Sequence, residues 1–429
     1  MSSSSTTPSY AAVLRTRHAC RTFGAALLGR LSYGMVSLSL VLAVKESTDS
    51  YAVAGTVMAL FALTSVFLSP TRAGLVDRYG PRRALLPMAG LYAVLLAALA
   101  FATSWSGTSG ILLGLLAAPA GACTPPLGPV MRTLWSDLLP DRRLLQRAYS
   151  LDSVAEELLF VAGPLLVGLL VQVAAPSLGL AVSAALVLTG TLALITSPAA
   201  RGWTGREKAP AGPAQPSEEP ALRGDPGLRQ AIVVSAAVGI CLGAFELLVI
   251  AFADAHHEPQ AVAWVLAALC GGSAIGGLVY GAIPWRASNR LRLAFLAVPL
   301  GLTLAAAGLS PHPYLLIVWA ALGGLFIAPA ITTAYLIADE CADPAGRTKA
   351  GAWVNTAFNA GSAGATAATG LLVGRLPLSV CFALAAIPVV LSATTALRRS
   401  PRPAPDTAAR PELKGERASD AERQAAVTS

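Results

Sequence analysis

Between Thr22 and Leu397 the sequence returns repeatedly to apolar runs of about twenty residues, the length an α-helix needs to cross a hydrocarbon core of about 30 Å. Twelve such runs are read, at 22–44, 51–71, 84–103, 108–132, 148–172, 177–197, 230–253, 260–283, 291–309, 313–338, 348–373 and 378–397. Backbone polar groups cannot go unpaired in hydrocarbon, and these runs are too long and uniform for barrel strands, so the expected class is an all-α membrane protein. Composition agrees: 55% of residues are hydrophobic and only 13% charged, which fits no soluble class.

The basic residues then set the topology. A net charge of +8 would suit a nucleic-acid binder, yet the arginines and lysines fall in short connections at alternate ends of the runs. One set holds Arg72, Arg78, Arg82 and Arg83, then Arg142, Arg143 and Arg147, then Arg201, Arg206, Lys208, Arg223 and Arg229, then Arg286, Arg290 and Arg292, then Arg347 and Lys349. The opposite set holds only Lys45 and Arg375. With Arg15, Arg17 and Arg21 before the first run and Arg398 and Arg399 after the last, both termini are expected in the cytoplasm, and no nucleic-acid partner is expected. Met1 to Tyr10 is rich in Ser and Thr and lacks the pattern of a cleavable signal, so the first run is expected to remain as a helix. The six cysteines show no paired spacing, and neither a disulfide framework nor a metal site is expected.

The long polar break after the sixth run divides the chain. The expected organisation is a cytoplasmic tail at 1–20, a six-helix bundle at 21–197, a Pro- and Gly-rich cytoplasmic linker at 198–228, a second six-helix bundle at 229–397 and a disordered tail at 398–429. Matches at constant offsets between the halves support a repeat. Ala52, Val53, Ala54, Ala59 and Leu60 recur as Ala261, Val262, Ala263, Ala268 and Leu269. Gly121, Pro126 and Asp137 recur as Gly324, Pro329 and Glu340, and at that same offset Asp152, Ser153 and Glu156 meet Asn355, Thr356 and Asn359.

Two six-helix halves joined by a polar linker, with Asp77, Arg78, Gly80, Arg82 and Arg83 after the second run, resemble the major facilitator superfamily and its bacterial twelve-helix drug:proton antiporter members. The first Gly of that family's loop motif is Ala73 here, followed by Gly74. The resemblance implies two pseudo-symmetric lobes rocking about a central site. It also implies that Asp77 stabilises one state by facing the end of a helix in the other half, near Arg347, with Arg78, Arg132 and Asp137 as partners in a cytoplasmic gate. Gly163, Pro164 and Gly168 partly match the family's antiporter motif, and the same letters suit a simple packing kink. The arginine that many drug antiporters carry in the fourth run is absent, where Ala117, Ala118 and Pro119 stand.

The residues that carry chemistry are the charges inside the runs. Arg30 lies about nine residues, or ~13 Å, into the first run, too deep to face lipid without a partner. Glu156 and Glu157 reach matching depth in the fifth, so Arg30 is expected to pair with one of them. Asp152 shares a helical face with Glu156, giving three acids to one evident base and leaving an acid free to take up and release a proton. Glu246, alone in the seventh run, fits the same logic. Each has a bland counterpart: the Arg30 pair pins two helices, and Glu246 makes one structural hydrogen bond. In the eleventh run Asn355, Asn359, Ser362, Thr366 and Thr369 form one polar stripe, which either lines the cavity or joins helices.

The four histidines fall in tails or loops, and no nucleophile-and-base cluster or phosphate loop appears, so neither an enzyme nor an ATP-driven pump is expected. The expected function is secondary active transport of a small amphipathic or cationic compound, by proton-coupled efflux, in a bacterial cytoplasmic membrane. The protein is expected to act as a monomer without a cofactor, with protons, substrate and the lipid bilayer as its partners. An uptake carrier for a small metabolite is the first alternative, and a sensor or membrane-embedded enzyme the second.

Overall fold

The computed structural model describes residues 9–203 and 225–398, so most of the expected linker and nearly all of the C-terminal tail lie outside the described residues. Within these residues the chain is helical, and the only sheet-like feature is one isolated bridge between Val373 and Leu376. The first set of helices is α1 (Tyr10–Arg15), α2 (Ala19–Thr48), α3 (Tyr51–Phe67), α4 (Ser69–Tyr79), α5 (Pro81–Thr103), α6 (Gly110–Cys123), α7 (Leu127–Leu138), α8 (Arg142–Val171), α9 (Ser177–Ile195) and α10 (Pro198–Arg201). The second set is α11 (Pro226–Ala255), α12 (Ala261–Ala282), α13 (Asn289–Ala307), α14 (Pro313–Cys341), α15 (Arg347–Leu372) and α16 (Leu378–Arg398). Nine stretches are long and apolar enough to cross a membrane, and α3 with α4 makes a tenth if counted as one bent span. The 26-residue α15 is long enough to cross, but its polar stripe keeps it outside that group.

Two expected runs are broken. The run at 51–71 ends at Phe67, and α4 leaves at 44° to α3, with Ser69 and Pro70 opening the new helix. Pro at the first turn costs no hydrogen bond, because the first N–H groups of a helix are orphans. The run at 108–132 unwinds at Thr124, Pro125 and Pro126, since Pro126 disfavours helical backbone at Pro125 and both lack an N–H. α7 therefore begins at Leu127 and carries the chain on to Leu138. Gly80, at φ +81°, makes the left-handed turn between α4 and α5, a conformation that favours glycine. Elsewhere side chains cap the starts: Asp141 accepts from the Arg143 N–H at 2.8 Å, and Asp225 from the Gly227 N–H at 2.6 Å.

Small residues set the closest helix contacts. Gly29 meets Gly190 and Gly34 meets Gly163, joining α2 to α9 and α8, while Gly243 meets Ser362 and Gly276 meets Leu325, joining α11 to α15 and α12 to α14. A Cβ at Gly34, Gly163, Gly190, Gly243 or Gly276 would run into backbone, which is how helices approach without a hydrophobic drive between them in lipid. Gly121 and Gly324, matched in sequence, play one role: the first sits on the Phe61 carbonyl of α3, the second on the Leu269 carbonyl of α12. Pro126 and Pro329 do not, for α14 runs unbroken through Pro329. α8 likewise continues from Arg142 to Val171 through Pro164. Phe101, Ile111, Leu165, Ile275 and Leu302 stand exposed on the outside, as lipid-facing positions would.

Candidate functional site

Arg30 of α2 reaches across to α8, where its guanidinium lies 2.7 Å from Asp152 Oδ1 and 3.0 Å from Glu156 Oε1. Arg132 of α7 meets the same two acids from the other side, 3.0 Å from Asp152 Oδ2 and in direct contact with Glu156 Oε2. Arg30 is 2% exposed and Asp152 fully buried. Two guanidiniums and two carboxylates thus form a box of zero net charge in the core. The i,i+4 spacing of Asp152 and Glu156 presents both acids on one face, and helices α2 and α7 deliver one arginine each. Tyr335 of α14 covers the outer face of Arg132, with 3.7 Å between the guanidinium carbon and the ring centre.

Arg30 was expected to pair with Glu156 or Glu157, and in the structure it pairs with Glu156, with Asp152 as a second partner. Glu157, one residue round the helix, points the other way and accepts a 2.6 Å hydrogen bond from Ser273 Oγ of α12. Its second oxygen, Oε2, is buried without a hydrogen-bond partner among the described residues. Arg132 is the larger correction. Expected in the gate, it is buried at 3% exposure in the charge box, because the break at Thr124 to Pro126 re-aims α7 and brings Arg132 inward. Arg72, assigned to a connection, is buried too. Its guanidinium donates to the carbonyls of Gly121 (2.5 Å), Ala122 (3.1 Å) and Ser65 (2.5 Å), the last turns of α6 and α3. A cation there donates to carbonyls in the last turns and lies at the negative ends of two helix dipoles.

A cavity of ≈330 Å³ lies between the two sets of helices. Tyr33, Met58, Phe61, Arg72 and Tyr92 form one wall, the unwound Thr124 to Pro126 another, and Glu156, Glu157, Tyr335, Asn355 and Asn359 the rest. Tyr33 donates from its hydroxyl to the Pro125 carbonyl at 2.5 Å, fixing the unwound turn. The polar stripe of α15 divides: Asn355 and Asn359 line the cavity, whereas Thr366 donates to the Gly243 carbonyl of α11 at 3.0 Å. Glu246 is exposed and does not line the cavity. α11 and α15 run side by side with Gly239 at Phe358 and Gly243 at Ser362. That register carries Glu246 past Ser362, beyond the cavity residues of α15.

Contacts that cross between the two sets gather at the arginine-rich end. Asp77 is buried and accepts the backbone N–H of Lys349, in the first turn of α15, at 2.9 Å. Arg347 sits 3.4 Å from both Asp137 and Asp339. Thr133 and Thr348 are hydrogen-bonded at 3.1 Å, Ser136 donates to Asp339 at 3.1 Å, and Arg142 pairs with Glu340. Arg78, Arg82 and Arg83 do not join this network: all three are exposed, and Arg78 lies over the Tyr79 ring. Gly80 contributes the turn, and Gly163 the contact with Gly34.

The family model of the Major Facilitator Superfamily matches residues 22–298 and 247–428. The chain belongs to the major facilitator superfamily. It is therefore a multi-pass membrane protein of a superfamily of transporters. Among superfamily relatives, the multidrug efflux pump Tap of Mycobacterium tuberculosis and of Mycobacterium bovis is 28% identical over 146 residues, 33% of this chain and 34% of the relative. The match thus spans about a third of the length of those relatives. Superfamily-like folds are also found in the human organic anion transporter MFSD10 (TETRAN), with TM-score 0.67 and 14% identity over 91% of this chain and 100% of that one. A bacterial homologue of the iron transporter ferroportin in an outward-facing state aligns with TM-score 0.65 and 14% identity over 89% and 99%. The Escherichia coli fucose:proton symporter FucP aligns with TM-score 0.64 and 15% identity over 89% and 98%. At such identities these structures speak for the fold of this superfamily member alone.

Proposed function

We propose that this protein is a proton-coupled exporter of a small amphipathic, cationic organic compound, working by alternating access in a bacterial cytoplasmic membrane. Twelve spans in two six-helix bundles, 21–197 and 229–397, carry it, with α3 and α4 as one bent span, α6 and α7 as one broken span, and both termini on the cytoplasmic side. The arginine-rich end is then cytoplasmic. The contacts of Asp77, Asp137, Arg142 and Arg347 with the other bundle make the described conformation one closed toward the cytoplasm.

The observation that carries the reading is the charge count beside the cavity. Arg30 and Arg132 neutralise Asp152 and Glu156, which leaves Glu157 as a cavity-lining carboxylate without a basic partner among the described residues, tied to the other bundle through Ser273. An intramembrane acid so placed marks a substrate or proton path. Protonation changes what Glu157 accepts from α12, and so links proton occupancy to the contact between bundles. Glu246, beyond the cavity, is a second carboxylate on the outer approach. Aromatic and apolar walls with few polar groups suit an amphipathic cation, and the partial likeness to an efflux pump favours the outward direction.

The test is transport by the full chain in proteoliposomes and in cells, over a panel of organic cations, with and without an uncoupler. Glu157→Gln should abolish gradient-driven export while exchange without a gradient persists. Export that ignores the uncoupler, or a Glu157→Gln protein that still concentrates substrate against its gradient, sinks the coupling assignment.

A further inference from the structure

A second cavity, of ≈440 Å³, opens at the arginine-rich end between α8 and the α12 to α13 connection. Arg142, Arg143 and Arg147 line it from the first set of helices, Trp285 and Arg292 from the second. The two acids in its wall are already taken: Glu340 by Arg142 and by Asn289 Nδ2 at 2.7 Å, Asp339 by Arg347 and Ser136. That leaves Arg143, Arg147 and Arg292 with no carboxylate partner within 4.0 Å among the described residues. Arg292 is held by neutral groups, donating to Gln146 Oε1 at 2.9 Å, to the Tyr280 hydroxyl at 3.0 Å and to Asn289 Oδ1. Arg147 donates only to the Ala282 carbonyl, at 3.0 Å. Among the described residues, Arg147 Nη1 and Arg292 Nε have no hydrogen-bond partner.

Three guanidiniums converging on a cavity, two with unused N–H groups, match an oxygen-rich anion such as a phosphate, which arginine forks recognise well. The surroundings identify the source. Ile283 and Trp285 are exposed at the rim, and Leu278 and Val279 continue an exposed apolar strip down α12. A charged head beside an aromatic and an acyl-wide apolar strip, at the end of a span, is the geometry of a bilayer surface. We propose that this cavity binds the phosphate headgroup of an anionic phospholipid from the leaflet at this end. Bound there, the lipid clasps α8 to the α12 to α13 connection, across the same seam that Gln146 closes by donating to the Tyr280 carbonyl at 2.9 Å.

The experiment uses the full-length purified protein, delipidated in neutral detergent, with phosphatidylglycerol, phosphatidylcholine and inorganic phosphate as probes. Bound lipid is read by native mass spectrometry, protection by the thermal unfolding midpoint. Phosphatidylglycerol should be retained and raise the midpoint where phosphatidylcholine does not, with an effect that fades as salt rises. At about 1 kcal/mol per arginine, the Arg143→Gln/Arg147→Gln protein should bind phosphatidylglycerol roughly 30-fold more weakly. Arg143→Gln alone, at an exposed side chain, should cost roughly fivefold and guards against a misfolded double variant. Equal retention of the two lipids, or undiminished phosphatidylglycerol binding by both variants, overturns the site. Protection by inorganic phosphate matching that of the lipid overturns the headgroup assignment. None of these readouts involves transport, so the site stands or falls apart from the proposed export.

Discussion

Replacing Arg30 with Met removes one corner of the charge box while preserving its bulk. Asp152, fully buried, and Glu156, at the cavity, then face a single guanidinium, and the box carries a net negative charge, half of it on a carboxylate shielded from solvent. Removing one partner of a buried pair costs about 3–5 kcal/mol, most of it the desolvation of the charge left behind. The complete burial of Asp152 puts Arg30→Met toward the upper part of that range. Adding Asp152→Asn restores neutrality, with Arg132 still facing Glu156, so the double variant should be no less stable than either single one. Independent sites more than 7–10 Å apart add to within about 0.5 kcal/mol. A coupling of at least about 2 kcal/mol is expected instead. Glu157→Gln, outside the box, should cost less than about 1 kcal/mol. The assay is denaturant unfolding of the unaltered protein and all four variants in one detergent, followed by intrinsic fluorescence. Additive losses for Arg30→Met and Asp152→Asn, or an Arg30→Met loss as small as that of Glu157→Gln, would refute the box as the organising charge unit.

Other substitutions probe the remaining contacts. Asp77→Asn keeps the acceptor for the Lys349 N–H but removes its charge, and should weaken the closed end by about 1 kcal/mol, read as faster thiol labelling of Ser136→Cys. Arg72→Met takes a donor from three carbonyls at the ends of α3 and α6, of which Gly121 keeps the Thr124 N–H; it should destabilise by about 2–4 kcal/mol and raise hydrogen exchange in residues 64–70 and 120–126. Gly163→Val drives side-chain carbons into the Gly34 backbone and should cost about 1–3 kcal/mol in thermal unfolding, whereas Gly168→Val, where a Cβ meets nothing within 4 Å, should be close to neutral.

The all-helical class and the depth match of Arg30 with Glu156 were legible because both follow from one rule: lipid tolerates neither open backbone nor lone charge. Asp77 at the start of α15, near Arg347, followed from the family resemblance, and the group it meets there is the Lys349 N–H. Arg132 and Arg72 were missed for a shared reason. Counting residues along an unbroken run places both at a membrane edge, and only the breaks bring them inside. The signals were present as Pro125 with Pro126, and as Ser69 with Pro70, but a hydropathy window averages over them. Glu246 was misplaced because depth along one helix says nothing of the register between helices. That register is set by Gly239 and Gly243 against α15, a contact no single-helix pattern reveals.

The box has a mechanical side. By bonding α8 to both α2 and α7, it welds three helices of one lobe into a single strut, so distances among Arg30, Arg132 and Asp152 should stay constant as the carrier cycles. Under the proposed alternating access, relative motion falls on the seams between the two sets of helices, the Glu157–Ser273 contact among them, and a spin-label pair bridging α8 and α12 would record a stroke that a pair within the strut never sees.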